Sequence, residues 1–200
     1  SCDVLLLNSD TVVTPTWLAA MRASAYAEPK IGTVAAMSDN AGAFSFPIQG
    51  QFNQKPIELT REEYAERILH ATLDCEFVDV PTGSGFCMYI QRDLIEQIGL
   101  FDETLFPRGY GEENDFCMRA LEGGWRNIIT PWAFIYHVRT ASFKGEKQKL
   151  VQAGVDVVTR KYPAYAQLTK KAFASRPIVQ LREAVSGAML VQDVMAEARA

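Results

Sequence analysis

The stretch LLLNSDTVVTP, residues 5–15, decides how this chain is read. Cys2–Leu7 reads as a short buried strand, and the apolar run stops abruptly at Asn8-Ser9-Asp10. A carboxylate directly after a strand has two readings. Asn, Ser and Asp all favour turns, because their side chains hydrogen-bond nearby main-chain groups. A hard divalent cation takes oxygen ligands, typically one or two carboxylates plus substrate phosphates, and a lone Asp can supply one. On these residues alone a turn is the plainer reading. A helix follows: Thr14 suits the N-cap and Pro15 the first helical position. Trp17, Leu18, Met21 and Ala25 give it an apolar stripe that ends near Pro29.

Strands and helices alternate from there. Ile31–Met37 is a strand, and residues 38–59, rich in Gly, Asn, Gln, Ser and Pro, read as a long mobile loop. Loops of that length inside a domain are usually functional. Thr60 and Glu63 form a capping box that opens a helix to about Leu73. Phe77–Val80 and Gly85–Ile90 are strand-like, with PTGSG between them. Arg92–Ile98 is a short helix stopped by Gly99, and FDETLFPRGYG is an aromatic, Gly-containing loop. Glu112–Leu121 is a helix closed by Gly123-Gly124, and Arg126–Ile129 and Ala133–Val138 are two short strands. The interleaving predicts an α/β domain. After Lys144 the pattern is helical: Val151, Val155 and Val158 share one face, and Ile178, Leu181, Val185, Met189 and Val194 share another.

Composition narrows the class. Of 200 residues, 48% are apolar and 22% charged, enough for one domain with a real core. A net charge of −4 argues against a nucleic-acid binder, which would show a basic face. Lys144, Lys147 and Lys149, and the pair Lys170 and Lys171, read as solvated helix faces. The four cysteines, Cys2, Cys75, Cys87 and Cys117, form no CxxC pair and have no zinc-like spacing. Cys87 and Cys117 sit among apolar neighbours and read as buried thiols, which fits the cytosol. No apolar run approaches the ~18 residues of a membrane span, and no signal-peptide pattern is present.

Two further polar sites lie at the ends of apolar runs, where ligands bind in open α/β sheets. Glu112, Glu113 and Asp115 crowd into the first turn of one helix. Free N–H groups and the helix dipole favour acids there. Like charges in proximity also raise carboxylate pKa values, as a general base requires, and both readings stay open. His137, in FIYHVRTASF, ends a strand, where a lone His is more often structural than functional.

Taken together these stretches resemble a known family. In order along residues 1–145, the chain is similar to the catalytic domain of family 2 glycosyltransferases, inverting enzymes with a GT-A fold. DVLLLNSDTVVTPTWL resembles the strand, N-x-D or D-x-D metal motif and helix of that family, the N-x-D form being frequent in its rhamnosyltransferase-like branch. PTGSGFCMYIQRDLIEQIGLFDETLF resembles its Gly-bearing strand and G-x-F-D-E segment. YGEENDFCMRALEGGW resembles its G-E-D-x-D helix, with Glu113 where the family has Asp. FIYHVRTAS resembles its terminal strand and metal-binding His.

The resemblance implies an α/β, partial GT-A (nucleotide-diphospho-sugar transferase) fold, with the nucleoside-binding strands expected before Ser1 and a helical C-terminal extension over residues 146–200. It implies transfer of a sugar from a nucleotide-sugar donor to a hydroxyl on a saccharide or lipid-linked acceptor of the cell surface. Asp10 and His137 would hold Mg2+ or Mn2+. Glu113 would be the base, beside Glu112 and Asp115. Asn8, Thr82, Gly83, Ser84, Gly85 and Arg139 would contact substrate, and Phe106 and Tyr110 could offer aromatic surface to a sugar ring, as could Trp125, for which packing is the plainer role. It also implies a cytoplasmic location that allows peripheral contact with the inner face of the membrane. An uncovered sheet edge is expected to favour self-association. Two rival classes remain: a non-catalytic carbohydrate-binding or assembly module, and a metal-dependent nucleotidyltransferase.

Overall fold

A computed structural model describes residues 2–138 and 144–190. Its elements are β1 (Val4–Leu7), β2 (Thr11–Val12), α1 (Trp17–Ala25), β3 (Ile31–Ser38), a 3-10 turn (Gly42–Phe44), α2 (Arg61–Thr72), β4 (Val78–Asp79), β5 (Cys87–Ile90), α3 (Arg92–Ile98), α4 (Glu112–Glu122), β6 (Arg126–His137), α5 (Lys144–Lys161), α6 (Tyr165–Ala172) and α7 (Arg176–Leu190). The sheet runs β1-β5-β3-β6-β2, with β4 also on β6. Every residue of β3 is buried, as expected of a central strand covered on both faces. Gly32 lets it pass close to α3 and the strand after α4: a Cβ there would stand 2.7 Å from Leu94 Cδ2 and 3.2 Å from Trp125 Cβ.

The two strands expected at 126–129 and 133–138 are one strand, β6, with an irregularity in the middle. Ala35 of β3 faces Ile129, but Met37 faces Phe134, so β6 spends extra residues around Pro131. Proline cannot donate to a ladder, which is why the sequence reads as a break. The strand changes its other partner at the same place, pairing antiparallel with β4 through Ile128 and Ile129 and with β2 through Tyr136 and His137. Side chains accept or cover the polar groups that the bulge frees. Thr72 donates to Pro131 O at 2.6 Å, and Ser24 and Thr130 share a hydrogen bond at 2.7 Å. Thr14 is recruited for the same purpose, donating to Phe134 O at 2.7 Å. It therefore does not cap α1, which starts at Trp17 behind a left-handed Thr16 and ends at Ala25, short of Pro29.

The capping box forms as read: Glu63 N donates to Thr60 Oγ1 at 3.1 Å and Thr60 N to Glu63 Oε2 at 2.7 Å. The stretch 38–59 is held rather than loose. Asn53 is buried and bonds the main chain of Asp39, Ile48 and Gln51. Arg182 of α7 donates to the carbonyls of Ala43, Ser45 and Pro47 and lies over the Phe46 ring. The helices after Lys144 share cores with what precedes them. Ile178, Leu181, Val185 and Ala188 join Tyr64 and Ile68 in the main core, and Val158 and Tyr162 pack with Phe106 and Met118. Val194, placed on the last helix by its spacing, lies outside the described residues. No described helix is long and apolar enough to cross a membrane.

Arg182 is the main tie between α7 and the 42–49 segment. Arg182→Ala leaves three carbonyls without their charged donor and is expected to cost about 2 kcal/mol in urea unfolding. It should also speed protease cleavage between residues 42 and 49. Unchanged stability and cleavage would show that the segment holds itself.

Candidate active site

Strand direction gathers the polar residues at one edge. β1 and β3 both run antiparallel to β5, and β3 is parallel to β6, so the carboxyl ends of β1, β3 and β6 lie together. Asn8 follows β1, Asp39 follows β3, His137 ends β6, and the segment 82–86 leads into β5 at that same edge. This is the edge where open α/β sheets bind ligands.

Pairing of β2 with β6 fixes the first cluster. Thr11 faces His137, and Val138 N donates to Asp10 O at 2.9 Å. His137 Nε2 consequently stands 3.3 Å from Asp10 Oδ1 and 3.4 Å from Asn8 Nδ2. The Phe86 ring stacks on the imidazole at 5.3 Å, and Asn8 N donates to Phe86 O at 2.9 Å. His137 N donates to Asp39 Oδ1 at 2.8 Å, and burial pushes the Asp39 carboxyl above its ordinary range. Asp39 was not among the residues singled out from the sequence; its signal was polar SDN after a fully apolar strand, the same signature as NSD after β1.

Among the described residues no cluster of three or more His, Cys, Asp or Glu side chains is placed to hold a metal by itself. Asp10 and His137 nevertheless fit half of a divalent site, one carboxylate oxygen and one imidazole nitrogen facing each other across 3.3 Å. Mg2+ is characteristically held by only one or two carboxylates, with phosphates and water filling the remaining positions.

The second cluster sits at the start of α4. Gly109, Tyr110 and Gly111 all have positive φ (74°, 63° and 121°), which turns the chain sharply into the helix. Gly154 of α5 backs this turn so closely that a Cβ on it would stand 1.5 Å from Tyr110 O. Gly111 N donates to Glu113 Oε2 at 3.3 Å. Burial, then the neighbouring Glu112 charge, lifts the Glu113 carboxyl to about 7. Glu112 Oε2 is buried with no partner among the described residues.

Asp115 behaves in the opposite way. It is fully buried but saturated, by Arg119 at 2.9 Å, Lys161 at 2.6 Å and Tyr162 Oη at 3.1 Å, and these partners hold its carboxyl below the ordinary range. Its bonds tie α4 to α5 and leave no oxygen directed at substrate.

Thr82–Gly85 connects the clusters. Thr82 Oγ1 donates to Asn114 Oδ1, beside Glu113, and four residues on Phe86 touches His137. Gly83 serves packing rather than ligand approach: its N–H donates to Cys117 Sγ at 3.1 Å, and a Cβ would stand 2.3 Å from Met88 Sδ. Ser84 and Gly85 are half-exposed, and Gly85 faces open space. Trp125 and Phe106 are buried, with Trp125 Nε1 donating to Gln97 Oε1 at 2.9 Å, so neither offers a platform; Tyr110 is half-exposed. Cys87 and Cys117 are buried and free, their thiols pushed up to about 12 by burial. Arg139 lies outside the described residues.

A mixed sheet with polar residues gathered at its carboxyl edge and a raised Glu113 carboxyl at the start of α4 fits an α/β domain of the nucleotide-sugar transferase type. The family model described as Glycosyltransferase like family 2 matches residues 3–154, and the chain belongs to this family. A solved structure described as GalNAc-T7 with UDP, GalNAc and Mn2+ superposes with a TM-score of 0.50 at 16% identity, covering 92% of this chain and 38% of that one, which supports the GT-A fold. The uncharacterized protein y4gI of Sinorhizobium fredii (strain NBRC 101917 / NGR234) is 27% identical over 84 residues, 40% of this chain and 9% of that protein. The chain thus spans well under half of either relative.

The raised Glu113 carboxyl gives a prediction with a definite sign. A carboxyl whose folded pKa is lifted contributes stability that is full below the ordinary Glu value of ~4.3 and is lost as pH rises through about 7. Glu112→Gln removes the like charge, so Glu113 should titrate at lower pH and the loss of stability between pH 5 and pH 8 should shrink. Carboxyl-carbon NMR titration and urea unfolding at the two pH values measure both effects. An unchanged Glu113 midpoint would mean burial alone raises it.

Proposed function

We propose that the chain carries the metal-binding and acceptor side of an inverting glycosyltransferase. The enzyme would move a sugar from a nucleoside-diphosphate donor to a hydroxyl on a saccharide or lipid-linked acceptor, in the manner of the rhamnosyltransferase-like branch. The observation that carries the reading is Glu113, a half-buried carboxyl lifted to about 7 on the same site edge as the Asp10–His137 pair. A binding module has no need of a carboxyl poised near neutral pH, whereas a general base does.

In this reading Glu113 takes the proton of the acceptor hydroxyl as its oxygen attacks the anomeric carbon. The diphosphate departs from the opposite face and the configuration inverts. Glu112 keeps the proton affinity of Glu113 high, and Asp115, through Lys161 and Arg119, fixes the helix that presents it. Thr82 and Ser84 line the space between base and donor. Asp10 and His137 would hold Mg2+ or Mn2+, which supplies positive charge to the leaving diphosphate. The Mn2+ and UDP named for GalNAc-T7 support a divalent ion and a nucleotide donor.

Glu113→Gln should lower kcat ~10²–10⁴-fold while UDP still binds in the presence of Mn2+. The wild-type rate should rise with pH up to about 7 as the base ionises, then level off. Near wild-type turnover in the variant, or a rate that falls through this range, would remove Glu113 as the base.

The same proposal includes association of two copies along the open edge of β1. Among the described strands β1 pairs only with β5, and Leu7 at its end is 42% exposed. Exposed edges invite pairing, so light scattering should read a species heavier than one chain. A monomer at high micromolar concentration would overturn it.

A further inference from the structure

Beside His137 lies a cavity of about 260 Å³ whose walls include Asp39, Phe52, Gln54, Ile57, Arg61 and Tyr136. It shares no residue with Thr82–Gly85. Its floor is Asp39, only 6% exposed, whose Oδ1 accepts from His137 N and Ser38 Oγ. A buried carboxylate is costly unless donors reach it, and Asp39 forms part of the wall of this cavity. Its rim is Phe52, 62% exposed, and Ile57, 84% exposed. Phe52 precedes the buried Asn53, whose side chain bonds Asp39 O, Ile48 O and Gln51 O, so an apolar ring is held out in water by a pinned main chain.

From this we infer that the cavity is a saccharide subsite, and that, given the transferase reading above, it holds the acceptor. The chemistry of the walls selects a polyol. A carboxylate accepts hydrogen bonds from sugar hydroxyls and repels phosphate. The Lys55 ammonium, which would otherwise attract an anion, is occupied by the carbonyls of Pro56 and Leu59. The Arg61 guanidinium over the Tyr136 ring and the Gln54 amide add donors and acceptors at the mouth. Phe52 offers a face to the apolar C–H side of a pyranose. The volume falls below the range of about 300–1,000 Å³ typical of drug-sized ligands and suits a single sugar ring. Because the loop is already fixed, little ordering is left for a ligand to impose. The Asp39–His137 hydrogen bond couples the subsite directly to the strand end that carries the proposed metal pair.

The test is an NMR titration of the isotope-labelled protein with methyl α-glucoside, methyl β-galactoside and methyl α-rhamnoside at millimolar concentrations. At least one glycoside should shift Asp39, Phe52 and Gln54 signals. Phe52→Ala, at an exposed position that leaves the core intact, should weaken that binding at least fivefold, and Asp39→Asn should do so while keeping the Oδ1 acceptor for His137. No shift with any glycoside, or equal affinity in Phe52→Ala, overturns the subsite. A parallel titration with Mn2+ and UDP, read at Asp10 and His137, tests the transferase separately. Nucleotide binding without glycoside shifts removes the subsite alone. Glycoside shifts without nucleotide binding keep a saccharide site and remove its assignment to an acceptor.

Discussion

The structure depends on β6 and on its change of partner at Pro131. One twelve-residue strand runs beside β3 for its whole length, takes β4 on its other side at first, and takes β2 at its end. Without the bulge the register would not recover, and a one-residue slip would turn His137 to the other face. With it, His137 meets Asp10, its main chain meets Asp39, and its ring meets Phe86. The cost of freed main-chain groups is carried by three hydroxyls, Thr14, Thr72 and Thr130, which come from the chain before α1, from α2 and from the strand itself. Helices and sheet are therefore locked to one another at the point that also sets the site.

The first turn of α4 shows how environment divides like residues. Glu113 and Asp115 are two positions apart on one helix. Asp115 is the more deeply buried, yet its carboxyl is held low, because Lys161, Arg119 and Tyr162 satisfy it. Glu113 has one long main-chain donor and an acidic neighbour, and its carboxyl is lifted. Burial raises a carboxyl unless its partners outweigh the loss of water. The difference separates a group able to exchange a proton near neutral pH from one that acts as a fixed anionic anchor.

Much of this was legible in the sequence, and the exceptions have physical causes. The capping box, the helix at 112–121 and the strands at 31–37 and 85–90 are set by local chemistry, and they stand where it puts them. The break expected around Thr130 and Pro131 rests on a true local preference that tertiary pairing overrides. Thr14 reads as a cap because Thr-Pro usually is one, but a carbonyl on β6 competes for its hydroxyl. The segment 38–59 reads as loose because its anchors, Arg182 and the buried face of α7, lie far along the chain. Asp10, His137 and the Glu pair could be named one by one. The family resemblance set Asp10 and His137 on one metal; that Asp39 would stand behind them follows only from strand order.

Gly154 carries a consequence for how the domain can be divided. A helix that touches the 110–111 main chain with no side chain between them leaves that turn no room to relax outward unless the helix itself retreats. A chain cut at the 145/146 boundary would keep the central sheet pairings and the Asp10–His137 pair. It would also remove the backing of the 109–111 turn that leads into Glu112 and Glu113. The tail beyond the sheet thus helps shape the turn that opens α4, even though it adds no strand.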